Sequence, residues 1–183
     1  MTAGSRPAQG TATQKSDGFA FPGLRIRPFE TGDLPAMQKL RQAAFDPIFQ
    51  SFRSLLDEEI YALALSRADP EQAEHLTKLC SPKSGHRIFV AVIGDEVIGF
   101  VCISIDPEKR TGEIGLNAVH PDHAGQGICT SLYEFATDRM KKSGMTLATV
   151  GTGGDATHMP AQNAYRKAGF GPALPSLWMY KVL

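Results

Sequence analysis

The stretch HPDHAGQGICTSL, residues 120–132, holds the residues whose types and spacing best suit chemistry. Gly125 and Gly127 follow a strand-like run and precede a helical pattern, where a helix leaves its first main-chain N–H groups unpaired. Those amides and the helix dipole together attract an anion. Side chains at the two glycine positions would hold a phosphate away, so without them the amides from Gly125 to Thr130 can converge on a pyrophosphate. A tight strand-to-helix turn would use the same glycines for their dihedral angles alone. His120 and His123 share a spacing with metal ligands, but a pair without a third donor is read as polar loop. Cys129, at the start of the same helix, is placed where a thiol pKa can fall, but no step calls for a nucleophile there and it is read as simply small.

These residues need elements to position them. Before the loop, RIFVAVI, a Gly94-Asp95-Glu96 turn and VIGFVCISI read as a hairpin; after a turn at residues 106–109, TGEIGLNAVH adds a third antiparallel strand. After it, Ile128, Leu132, Phe135, Ala136 and Met140 share one helical face, and Arg139, Lys141 and Lys142 suit the negative end of that helix. The strand MTLATV follows, so strand, helix and strand form a parallel crossover. A glycine-rich loop at 151–154, a helix through Lys167 stopped by Gly169, and a last strand around Trp178 to Val182 complete the chain.

The first half reads as mainly helical. Leu24–Arg27 alternates like a strand; Thr31 or Asp33 caps a helix with Pro35 in its first turn. An apolar stripe at 45, 49, 52 and 56 runs on to Leu65, and Asp69-Pro70 opens a further helix ending near Cys80.

The glycine loop is not a Walker loop, since no Gly-Lys-Ser/Thr follows, nor a Rossmann fingerprint, since the preceding strands are antiparallel and the third glycine is missing. The series of meander, glycine loop, helix, strand and final NAYRKAGF resembles the GNAT superfamily of acyl-CoA N-acyltransferases, best over 111–170. The family's Arg/Gln-x-x-Gly-x-Gly/Ala segment, which binds the pyrophosphate of coenzyme A, falls on Ala124, Gly125, Gln126, Gly127, Ile128 and Cys129. Its Asn-x-x-Ala-x-x-x-Tyr-x-Lys-x-Gly-Phe signature falls on residues 158–170, where Ala161, Tyr165, Lys167, Gly169 and Phe170 agree. Ala124 departs from the usual Arg or Gln, Cys129 replaces the small final residue and crowds the loop mildly, and His158 stands where Asn contacts the pantetheine arm.

The resemblance implies an α/β (α+β) GNAT fold: a mixed, mostly antiparallel twisted sheet flanked by helices, with a V-shaped split between two parallel central strands. It implies acetyl-CoA as co-substrate, no metal, and direct attack by an amine in a ternary complex. A primary amine is largely protonated at neutral pH, so a carboxylate reached directly or through water helps to free it. The family's position six residues before the strand's last valine selects Glu113. Alternation places Glu113, Gly115 and Asn117 on one face, and Ile114, Leu116 and Ala118 on the other. A solvated glutamate without a role fits that position too. Tyr165 is the implied acid for the leaving thiolate, where an ordinary core tyrosine would also sit. Main-chain amides around Ala118 and Val119 would hold the cofactor and polarise its carbonyl. Asp155 and His158 flank the acyl end of the cleft, where they would bind or deprotonate the acceptor, unless Asp155 only orders the glycine loop. The stripe at 45, 49 and 52, with Arg53 and Trp178, would line the acceptor side or belong to the core.

The bulk composition agrees. The 183 residues carry 19 basic and 19 acidic side chains, so no net field favours nucleic acid or an anionic membrane. The longest apolar run, Val97–Ile105, is too short to span a bilayer. Three cysteines without paired spacing suit a reducing cytoplasm. Residues 1–23, rich in small polar residues, read as a loose tail before a single domain at 24–183. The expected function is acetylation of a small primary amine, with a homodimer compatible. A non-catalytic acyl-CoA sensor of the same fold, or acetylation of a peptide or protein amine, are the alternatives.

Overall fold

Residues 21–183 are described by the computed structural model; most of the expected tail thus lies outside the described residues. Strands β1 (Leu24–Pro28), β2 (Arg87–Ile93), β3 (Glu96–Asp106), β4 (Thr111–Val119) and β5 (Leu147–Val150) stand side by side in chain order. The first four are antiparallel, and β5 pairs parallel to β4. The parallel step needs a crossover, supplied by α4 (Ile128–Lys142). The remaining helices are α1 (Leu34–Leu55), α2 (Glu58–Ala64), α3 (Ala68–Leu79) and α5 (Met159–Lys167).

Each face of the sheet is covered. On one, Ile103, Ile114 and Val101 pack against Leu132, Tyr133, Ala136 and Met140 of α4 and Tyr165 of α5. On the other, Val90, Phe100 and Cys102 pack against Met37 and Leu40 of α1 and Leu76 and Leu79 of α3. Strands β2 and β3 are buried on both sides, which is why their sequences are apolar nearly throughout.

Helix boundaries depart from the sequence reading where a carboxylate finds a cation. Asp33 precedes α1 but does not cap it; its carboxylate takes both terminal nitrogens of Arg27, at 2.7 and 2.8 Å, and the Glu30 N–H at 2.8 Å. Asp69 falls inside the first turn of α3, and its carboxylate receives buried Arg41 of α1 at 2.7 Å. The stripe expected to run to Leu65 is interrupted after Leu55, where Asp57 caps α2 through the Ile60 N–H.

A bulge in β4 changes the faces of that strand. Ile114 pairs with Ile103 and Asn117 with Val101, so two residues of β4 oppose one of β3. Ile114 therefore faces α4, yet Asn117 faces α4 as well, while Leu116 and Ala118 pack on the α1 side. The simple alternation that put Glu113 and Asn117 on one face is overturned: Glu113 lies on the opposite face from Asn117.

The strand expected around Trp178–Val182 does not join the sheet among the described residues. Leu174, Leu177, Trp178 and Met179 are exposed, so the segment packs no alternating apolar face against the sheet that would hold it there as a strand. β5 is consequently the edge strand, and the parallel pair stands at the sheet's margin and not at its centre.

Candidate active site

Pairing between β4 and β5 covers only Thr111–Ile114 against Leu147–Val150. Beyond it β4 continues to Val119 while the other chain leaves as the loop 151–155, opening a wedge. The His120 N–H donates to Ile98 O on the β3 side at 2.8 Å. Alternation along the strand then turns the Val119 N–H away from β3, into the wedge, and the Ala118 N–H toward β3.

At the wedge's end the chain makes a short turn, Pro121–His123, and enters α4 through Ala124, Gly125, Gln126 and Gly127, all exposed. Gly125 and Gly127 have φ of 76° and 81°, a left-handed conformation that costs a residue with a Cβ about 1–2 kcal/mol. A Cβ at either would meet nothing within 4 Å among the described residues, which leave the space before the loop open. No side chain caps α4, and its first intrahelical bond runs from Ser131 N–H to Gly127 O at 3.0 Å. The N–H groups of Ile128, Cys129 and Thr130 are left without a partner among the described residues, in the arrangement that suits a phosphate. Ile128 itself is buried and anchors the turn.

Cys129 corrects the expectation of a low thiol pKa. Burial raises it, and the neighbouring Tyr133 hydroxyl offsets this only partly. The thiol stays protonated and serves as a small side chain beside the loop. Burial likewise lifts Cys80 to about 11 and raises Cys102.

Tyr165 of α5 lies buried against Tyr133 of α4, the rings stacked 4.4 Å apart. Asn117 connects both to β4. Its Nδ2 donates to the Tyr165 oxygen at 3.0 Å and to Gly115 O at 2.8 Å, and its Oδ1 accepts the Tyr133 hydroxyl at 2.8 Å. Tyr165 thus receives a hydrogen bond from Asn117, and its own proton has only a loose 3.5 Å approach to the occupied Oδ1. Burial pushes the Tyr165 pKa up, with Asn117 and Tyr133 pulling in the other direction, so the phenol is protonated at neutral pH. Neither Asn117 nor Tyr133 was selected from the sequence. The signal was a lone amide within an apolar strand, and the bulge concealed which helices it would meet.

Glu113 is exposed and makes no hydrogen bond or ion pair among the described residues. It stands between Ser104 of β3 and Thr149 of β5. His158 precedes α5, and its Nδ1 lies 2.6 Å from Asp155 Oδ2. Its ring stacks on Phe52 of α1, 6.1 Å between centroids. Arg53 is exposed, 3.5 Å from Glu58 and over the Tyr61 ring, while Trp178 is exposed on the C-terminal segment. A separate cleft of about 650 Å³, bordered by Phe29, Leu79, Pro82 and His86, includes none of these residues.

Among solved structures, an aminoglycoside acetyltransferase from an uncultured soil metagenomic sample, in complex with sisomicin, matches at a TM-score of 0.58 and 19% identity, over 88% of this chain and 97% of that one. The ribosomal-protein-S18-alanine N-acetyltransferase from Escherichia coli matches at 0.59 and 19%, over 82% and 79%. A GNAT family acetyltransferase from Brucella melitensis, in complex with acetyl-CoA, matches at 0.56 and 21%, over 83% and 91%. Among curated proteins none matches significantly. The sequence profile of the acetyltransferase (GNAT) family matches residues 49–170, and the chain belongs to that family.

Proposed function

We propose that the protein transfers the acetyl group of acetyl-CoA to the primary amine of a small molecule, by direct attack in a ternary complex. The observation that carries the reading is the wedge between β4 and β5, with uncapped amides of α4 at one end and the protonated Tyr165 phenol inside. The amides of Gly125 through Thr130 bind the diphosphate, with Ala124 and Gln126 framing the turn. Val119 N–H hydrogen-bonds the thioester arm and polarises its carbonyl, and Ala118 holds that strand to β3.

The amine attacks the carbonyl carbon, the C–N bond forms and the C–S bond breaks. The thiolate takes the Tyr165 proton. Donation from Asn117 steadies the phenolate until it is reprotonated. Glu113, whose side chain is exposed on β4, passes protons to bulk water. Residues 24–183 act as one acyltransferase domain, for which the reducing cytoplasm suits three free thiols. Among the described residues no helix is long and apolar enough to cross a membrane.

A homodimer is the proposed assembly. The exposed apolar side chains of 174–179, and a sheet whose β5 edge is unpaired among the described residues, support association with a second copy.

Thiol release from acetyl-CoA, measured across alkylamines, amino acids and peptides, tests the reading. Amine-dependent release with a small alkylamine is expected. Acetyl-CoA binding without turnover on any of them would assign the chain to sensing, and preference for peptides would replace the small-molecule acceptor.

A further inference from the structure

The loop between β5 and α5 contains a second acid–base constellation, and it rests on different residues from the phenol. Asp155 holds His158 by a 2.6 Å contact from Oδ2 to Nδ1. The other carboxylate oxygen accepts the Thr157 N–H at 2.9 Å and the Thr157 hydroxyl. Burial opposes ionisation of Asp155, but the hydrogen bonds from Thr157 and His158 prevail and keep its pKa below the usual carboxylate value. An ionised carboxylate at Nδ1 draws a proton to that nitrogen, so that in the neutral imidazole the Nε2 lone pair is the free one. Nε2 has no hydrogen-bond partner among the described residues.

Three features hold the imidazole in place. Phe52 reaches over from α1 to stack on it. Gly153 lies so close that a Cβ there would collide with the ring and come within 2.8 Å of Asp155 Oδ2. Gln162 of α5 donates to Gly153 O at 2.8 Å and ties the loop to the helix that carries Tyr165. The His158 side chain is 14% exposed, shielded but reachable.

Position completes the case. His158 stands where β5 has parted from β4, seven residues before Tyr165, about 10 Å along a helix axis. Helical side chains lean toward the N-terminus, so the phenol leans back toward the His158 end. Glu113, by contrast, is unsupported and on the face opposite Asn117.

We propose that the Asp155–His158 dyad is the immediate proton acceptor for the incoming amine, with Phe52 beside it as an apolar wall for the amine's body. The proposal rests on the acetyl-transfer reading. Nε2 takes one proton from the ammonium, and the free amine attacks the thioester carbon. The tetrahedral nitrogen then loses a second proton. One proton ends on the thiol through Tyr165 and the other goes to solvent, so each turnover converts an ammonium and a thioester into an amide, a thiol and one released proton.

The test compares His158→Gln, Asp155→Asn and Glu113→Gln with the unaltered protein on two acceptors: the alkylamine it acetylates fastest, and the O-substituted hydroxylamine of the same body, which is already neutral at pH 7. The expected loss of kcat/KM in His158→Gln is 10²- to 10⁴-fold for the alkylamine. It is expected to be at least tenfold smaller for the hydroxylamine. Equal losses on both would show a merely structural histidine, and loss confined to Glu113→Gln would hand the role to Glu113; either result overturns the proposal. No turnover by the unaltered protein would instead overturn the acetyl-transfer reading beneath it. Nitrogen-15 NMR of the unaltered protein reads the dyad without a substrate: a protonated Nδ1 and bare Nε2 at His158 are expected, and the opposite tautomer contradicts the proposal.

Discussion

Tyr165 is a catalytic candidate because of what Asn117 does to it. A phenol that already accepts a hydrogen bond, in a site where burial keeps it neutral, is prepared to give its proton and to be steadied afterwards. Tyr165→Phe keeps the ring that stacks on Tyr133 and removes only the acid, so kcat should fall about 10²-fold or more while the acetyl-CoA Kd is unchanged. Steady-state kinetics with calorimetry reads both; an unaltered kcat would remove the acid from the account. A second residue-scale prediction concerns acid stability. The Asp33 pKa is lowered in the folded protein, chiefly by the paired hydrogen bonds from Arg27. A depressed carboxylate pKa contributes stability that is present above the unfolded value and lost as pH falls through the folded one. Asp33→Asn should therefore cost about 2 kcal/mol at pH 7 and less toward pH 2. Denaturant titrations at the two pH values check this.

At the scale of elements, the turn into α4 is required to be left-handed and left open. Gly127→Ala adds one methyl at φ 81° and should destabilise the fold by about 1–2 kcal/mol and weaken acetyl-CoA binding about tenfold. Thermal melts and a binding titration measure the two effects separately. This turn was legible in the sequence because glycine leaves few conformational alternatives and the flanking periodicity changes from strand to helix. The meander and crossover were legible for the same reason. The β4 bulge was not, since an extra residue between Ile114 and Asn117 changes no residue type and becomes visible only through pairing with β3. Asn117 and Tyr133 were hidden with it. Asp33 and Asp69 were read as caps because local sequence cannot reveal that Arg27 and Arg41 compete for them across elements.

For the whole molecule, a chain of balanced charge carries, among the described residues, a segment at 174–179 with exposed apolar side chains and an unpaired β5 edge. Trp178→Glu should shift sedimentation from dimer to monomer without lowering the melting temperature of the 24–170 core. A monomeric unaltered protein would contradict the proposed assembly and leave the site untouched. The account as a whole depends on the diphosphate being gripped by bare amides where α4 begins. Calorimetry of acetyl-CoA against acetyl-pantetheine, which lacks the diphosphate and the adenosine 3′-phosphate beyond it, for the unaltered protein and Gly127→Ala, tests that most directly. A Kd for acetyl-CoA at least 100-fold lower is predicted; equal affinities, or no heat with acetyl-CoA, would contradict it.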